Sequence, residues 1–184
     1  MGSFVAGYIG RLHPDKGIEY AIKAIALLPE NLNCHLMVVG WRSDENYARY
    51  LEKLIVDLKL QAKIRLFKQT NDVRPYMAAI DTLLLPTVSR EAFGLVLCEA
   101  MASLKPVITT NTGGQVEIVQ DSVNGFLVNP RSEQELAKKI ESLASDKQLC
   151  TAMGVSGRKI VEEKFSLKTM AQNTLDVFYN CLNR

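Results

Sequence analysis

The sequence predicts an α/β domain built on a doubly wound parallel sheet of about six strands, with helices on both faces and a helical tail at its C-terminus. Three observations carry that expectation: short apolar runs recur along the chain, helical patterns alternate with them, and the last third is helical in character throughout. Residues 5–9, 36–39, 64–67, 82–85 and 107–109 are rich in branched and aliphatic side chains, and 125–128 is a sixth such run. Each has strand length and is apolar along its whole course, as a parallel strand covered on both faces must be. Helical patterns at 18–28, 46–58, 73–79 and 94–103 fall between them, and strand-helix repetition of this kind gives a parallel sheet.

Beyond residue 130 the pattern changes. Ser132 and Glu135 stand in capping-box register, the hydroxyl set to accept from the Glu135 amide and the carboxylate to return the bond. Further helices are expected near 148–164 and 167–181. On the last one Leu167, Met170, Ala171, Thr174, Phe178, Cys181 and Leu182 share a face, which either packs on the domain's own core or stays partly exposed, with self-association or fraying expected in the second case. Nothing reads as a repeat or a linker, so residues 1–184 are expected to form one domain.

A chain of 184 residues suffices for one such core and is short for two. With 47% hydrophobic and 23% charged residues the composition excludes disordered and collagen-like classes. No apolar stretch approaches the ~20 residues of a membrane span, and no signal peptide is legible. The opening Met1-Gly2-Ser3 reads as a fragment edge. A net charge of +2 argues against nucleic acid or a membrane surface as partner. Cys34, Cys98, Cys150 and Cys181 form no CxxC pair. They read as reduced, mostly buried thiols of a cytoplasmic protein, with no metal site expected.

In doubly wound sheets ligands bind beyond the carboxyl ends of the strands. The turn after the first strand, Gly10 to Gly17, has no GxGxxG, the second strand ends in Gly40 rather than an acid, and no GxxxxGK[ST] occurs. Dinucleotides and Walker-type triphosphate sites are therefore excluded. The first turn instead carries Arg11 and Lys16, a planar fork and a mobile point charge suited to a diphosphate. Two solvated surface cations would look the same.

After the fourth strand comes Ser89 through Ala102. The amides of Gly94, Leu95 and Val96 open a helix and have no partners within it, which suits an anion. From Gly94 onward that helix is apolar on every side except at Glu99. The expectation is a buried helix and a carboxylate in need of a partner, either the two hydroxyls of a ribose or a structural cation. Glu91 lies at the helix mouth, ~80° from Glu99 by ideal helical geometry, so the two are separate acceptors rather than an acid/base couple. Gly113-Gly114 allows a tight turn near the same place, as a ligand contact or as structure alone.

With these residues in view the chain resembles the C-terminal, donor-binding domain of the family 4 glycosyltransferases, which have the GT-B fold of two facing Rossmann-like domains. Gly10-Arg11 through Lys16-Gly17, Gly40, Glu91-Ala92-Phe93-Gly94 through Glu99-Ala100, Pro106-Val107, Gly113-Gly114 and Asn124-Gly125-Phe126 through Pro130 match its pattern in order. The resemblance implies catalytic roles for Arg11, Lys16 and Glu91, the cations on the donor diphosphate and Glu91 with Phe93 and Gly94 on the sugar. It implies phosphate on the amides of Leu95 and Val96, ribose on Glu99, and the base against the loop at 68–72, with Thr70. The donor would be a nucleotide sugar such as a UDP- or GDP-hexose, transferred with retention and without metal or other cofactor. The acceptor would belong to an N-terminal domain absent from this chain, and any membrane contact to that domain. A binding module that never transfers sugar, or half of a sugar-nucleotide epimerase, are the other readings. Leu104 and Gln69 stand where the family usually has glycine.

Overall fold

The computed structural model describes residues 2–182. Six parallel strands form one sheet: β1 (Phe4–Ile9), β2 (Cys34–Gly40), β3 (Ile64–Lys68), β4 (Thr82–Leu85), β5 (Val107–Thr110) and β6 (Gly125–Val128), in the order β3-β2-β1-β4-β5-β6. The doubly wound expectation holds. Chain direction across the sheet reverses between β1 and β4, and the loops after those two strands meet there, at the switch point where such folds bind ligands. β4 and β5 are buried along their whole lengths.

The helices are α1 (Ile18–Leu27), α2 (Glu45–Asp57), α3 (Arg74–Ala79), α4 (Leu95–Ala102), α5 (Gln115–Ile118), α6 (Glu133–Ser145), α7 (Lys147–Lys164) and α8 (Leu167–Leu182). α1 lies between α2 and α6, while α4 lies against α7, so two helical layers enclose the sheet. Capping follows the sequence closely. Asp44 accepts from the amides of Asn46 and Tyr47 to start α2, and Asp146 accepts from the Leu149 amide to start α7.

Two expectations need correction, and one open alternative is decided. The capping box at α6 is half formed: Ser132 accepts from the Glu135 amide, but the Glu135 carboxylate turns to the backbone and side-chain amides of Asn129. Those two donors outcompete the single backbone amide of Ser132 and hold the carboxyl below its usual range.

Of the two readings of α8 the exposed one holds, and the helix does not cover the domain core. None of its residues is buried, and Leu167, Met170, Phe178 and Leu182 are 58–81% exposed. Its apolar face has helical spacing, but the sheet is already covered by α1, α4, α6 and α7.

The cysteines divide. Cys34 and Cys98 are buried, and burial pushes their thiols up to about 12 and about 11, whereas Cys150 is half-buried and Cys181 exposed. Among the described residues no helix is long and apolar enough to cross a membrane, and no three His, Cys, Asp or Glu side chains gather as metal ligands.

Candidate functional site

The turn after β1 is built from beneath. Tyr8, fully buried in β1, donates its hydroxyl to the Arg11 carbonyl at 2.6 Å, and burial pushes its phenol far above the ordinary range. The Leu12 amide donates to the Trp41 carbonyl at 2.8 Å, tying the turn to the end of β2. A single 3-10 turn over Pro14–Lys16 follows, closed by Gly17 in the left-handed region at φ 64°. The Cα of Gly17 sits against the Pro86 carbonyl with no room for a Cβ, so only glycine serves there.

These constraints place Lys16 beside the loop after β4, and its Nζ donates to Glu91 Oε2 at 2.5 Å. Both side chains are largely enclosed, at 16% and 17% exposure. Two residues picked from separate stretches of sequence thus meet across the switch point. Arg11 is half-exposed, with Asp15 at 4.0 Å as a loose partner, and Asp15 also contacts His13 Nδ1 at 2.5 Å.

The backbone of Glu91 is held from the other side. Its carbonyl accepts from the Gly114 amide at 2.8 Å, and Gly113 and Gly114 press against the backbone of Glu91 and Ala92 too closely for any side chain. Below them lies a buried polar cluster that sequence reasoning missed. The Nε2 of Gln115 donates to the hydroxyls of Thr87 at 2.8 Å and Thr110 at 2.7 Å. The Thr109 hydroxyl lies between Gln115 Oε1 and the Leu85 carbonyl. Every buried side-chain polar atom described has a partner, so this cluster rigidifies the β4–α4 connection rather than weakening it. Its one sequence signal was a glutamine beside the apolar residues Val116, Ile118 and Val119.

Gly94, at φ 91°, turns the chain into α4. Among the described residues the amides of Leu95 and Val96 meet no acceptor, leaving the helix N-terminus open to an anion. The expectation of an enclosed α4 fails here. Leu97, Cys98, Ala100 and Met101 are buried, but Leu95 is 69% exposed and Glu99, four residues on, is exposed with it. Residues 95, 99 and 103 share one face, and among the described residues no element covers it. Glu99 forms no ion pair among the described residues, so neither a buried carboxylate nor a structural cation accounts for it. It stands about 6 Å along the axis from the open N-terminus, on the same exposed face. Phe93 is partly exposed, its ring edge-on to Phe165 with centroids 5.7 Å apart.

A cleft of about 380 Å³ opens at the carboxyl ends of β1, β2 and β3, lined by Leu12, Gly40 to Arg42 and Leu66 to Gln69. Trp41 and Phe67 offer it exposed aromatic surface. The cleft stops one residue short of Arg11. Thr70 does not line it: its hydroxyl closes a local turn, donating to the Asp72 carbonyl and accepting from the Asp72 amide, each at 3.1 Å. Lys68 and Gln69 are the members of that loop that face the space. A larger cavity of about 580 Å³ lies at the opposite, amino ends of β1 and β4. Its one carboxylate, Asp81, is already engaged by the Val5 amide, so the carboxyl-end cleft is the better candidate.

Comparisons with known proteins bear on the family and the fold. A capsular polysaccharide biosynthesis glycosyltransferase from Staphylococcus aureus, CapM, is 35% identical over 179 residues, covering 97% of this chain and 46% of that protein. The crystal structure of Anabaena Alr3699/HepE in complex with UDP-glucose superposes with a TM-score of 0.91 at 30% identity, over 97% of this chain and 49% of that one. The C-terminal domain of a group 1 family glycosyl transferase from Francisella tularensis, LpcC, superposes with a TM-score of 0.82 at 30% identity, over 90% of this chain and 88% of that one. The chain spans about half the length of the curated relatives it matches. The family model for glycosyl transferases group 1 matches residues 1–160, and the chain belongs to that family.

Proposed function

We propose that this chain is the donor-binding half of a retaining hexosyltransferase that uses a nucleoside-diphosphate sugar. The observation that carries the reading is the convergence at the β1/β4 switch point. Lys16 meets Glu91 in the loop that leads into the open N-terminus of α4, Arg11 stands on the same turn as Lys16, and Leu12 of that turn lines a cleft with aromatic walls. Arg11 and Lys16 hold the diphosphate together with the amides of Leu95 and Val96. Glu91, Phe93 and Gly94 take the sugar, Glu99 the ribose, and the base lies in the Trp41–Phe67 cleft. Gln69 stands there in the role first given to Thr70.

As the glycosidic bond breaks, negative charge grows on the leaving diphosphate. Once the donor is bound, cations and a helix terminus held against that charge stabilise it at the moment of reaction, which supplies the electrophilic help with no call on a metal ion. The solved relative with UDP-glucose bound supports this choice of donor class. The acceptor and the groups that handle it belong to an N-terminal half, and that half covers the exposed face of α8. The assembled enzyme works in the cytoplasm, with any membrane contact through its other half.

A thermal-shift screen of the 184-residue chain against UDP, GDP, ADP and their glucose conjugates tests the reading. One base is expected to stabilise the chain, by roughly 2.7 kcal/mol at a hundredfold excess over Kd, with EDTA making no difference. No response to any of the six ligands would contradict it.

A further inference from the structure

The Lys16–Glu91 pair is a feature that a simple diphosphate site does not need. A carboxylate 2.5 Å from the ammonium neutralises the very cation that is to meet the phosphates. The surroundings also limit what can move. The 3-10 turn bearing Lys16 is fixed by Gly17 against Pro86 and by the Val88 amide donating to the Asp15 carbonyl at 2.9 Å. The Glu91 backbone is fixed by Gly113 and Gly114, over the Gln115 cluster. Only the two side chains are free to swing, and both keep some contact with solvent.

We infer that Glu91 is an exchangeable counterion for Lys16, which makes the site favour a sugar-bearing donor over the spent nucleoside diphosphate. In the free chain the carboxylate occupies the ammonium. A nucleotide sugar replaces that bond with two: its phosphate takes Lys16, and its sugar hydroxyls donate to the released carboxylate. A plain nucleoside diphosphate takes Lys16 and gives the carboxylate nothing. It must strand a largely enclosed charge, which opposes binding. After transfer the returning Glu91 therefore helps to expel the product, although the product carries the greater negative charge. The inference rests on the donor reading above. If Glu91 touched the sugar alone, its loss would leave diphosphate binding untouched; as the counterion of Lys16 it governs that binding too.

Calorimetry on the 184-residue chain with UDP and UDP-glucose tests it, using Glu91→Gln and, as a second variant, Glu91→Ala. Both are expected to bind UDP about two- to tenfold more tightly than the parent chain, as release of a partly enclosed pair allows. Both are expected to bind UDP-glucose more weakly. UDP binding that is unchanged or weaker in both variants would mean that Lys16 serves carboxylate and phosphate together, and overturns the exchange. Tighter UDP binding with UDP-glucose unaffected removes the sugar from Glu91 and overturns it as well. If the parent chain binds neither ligand, it is the donor reading that fails.

Discussion

The corner where β1 and β4 end and the helix α8 are opposites in where their side chains find partners. At the corner, backbone segments from four places in the sequence lock together through carbonyls, amides and glycines that leave no room for a Cβ. Lys16, Glu91 and Gln115 are all engaged within the chain. α8 buries none of its residues, and its large apolar side chains, Leu167, Met170, Phe178 and Leu182 among them, face outward. The backbone of the corner is thus fixed within this chain, leaving only the Lys16 and Glu91 side chains to exchange partners. Among the described residues no element covers that apolar face of α8.

The largest effect that would break this contrast is loss of the corner's close fit. Gly114→Ala drives a methyl group into the Ala92 carbonyl. It is expected to cost about 2–3 kcal/mol of stability, as overpacking does, and to abolish nucleotide-sugar binding. Urea melts and calorimetry on the variant check both. An unchanged midpoint would mean that the Gly113-Gly114 turn yields easily and fixes nothing.

A smaller loss, of binding alone, is expected at Glu99. Because its carboxylate is exposed and forms no ion pair among the described residues, Glu99→Gln has no structural partner to strand. Melting should hold while UDP affinity falls by about 1.5 kcal/mol, with 2′-deoxy-UDP losing less. A fall in melting temperature with normal binding when folded would assign Glu99 to the scaffold instead.

How these residues came to be legible differs from place to place. Arg11, Lys16, Glu91 and Gly94 could be found because strand ends are visible as apolar runs, and the fold rule says where to look beyond them. Their mutual distance could not, because it depends on β1 and β4 being sheet neighbours although more than seventy residues separate them. The Gln115 cluster was missed because a buried amide is satisfied by three threonines from other segments, and no periodicity announces that. For α4 the error ran the other way. High apolar content implied burial on all sides, yet whether a face is covered depends on neighbours, and among the described residues none covers Leu95 and Glu99.

Leu104 shows a departure from the family whose consequence is now visible. It ends the α4 segment at φ 61°, in the left-handed region that disfavours side chains, and it is 53% exposed. Leu104→Gly gives up little buried surface and relieves that strain, so it is expected to raise stability by about 0.5–1 kcal/mol. A lower melting midpoint would show that the leucine side chain contributes more than its backbone costs.

The smallest effect is expected at the other pole of the comparison. Removing residues 167–184 deletes no buried side chain among those described, so stability should change by no more than ~0.5 kcal/mol. UDP binding should persist. In the intact chain the amides of α8 are expected to exchange faster than those of α4 or α7. A truncated chain that unfolds or loses UDP would show that α8 belongs to this domain after all.

The central claim is that the cations at the switch point read a diphosphate, and calorimetry of Arg11→Ala and Lys16→Ala with UDP and with uridine tests it most directly. Each variant is expected to lose on the order of 1.5–3 kcal/mol for UDP, Arg11→Ala the more because Lys16 first has to leave Glu91. Uridine binding should be nearly unchanged, and added salt should mimic the substitutions. Equal losses for uridine and UDP would make both cations bystanders and contradict the account.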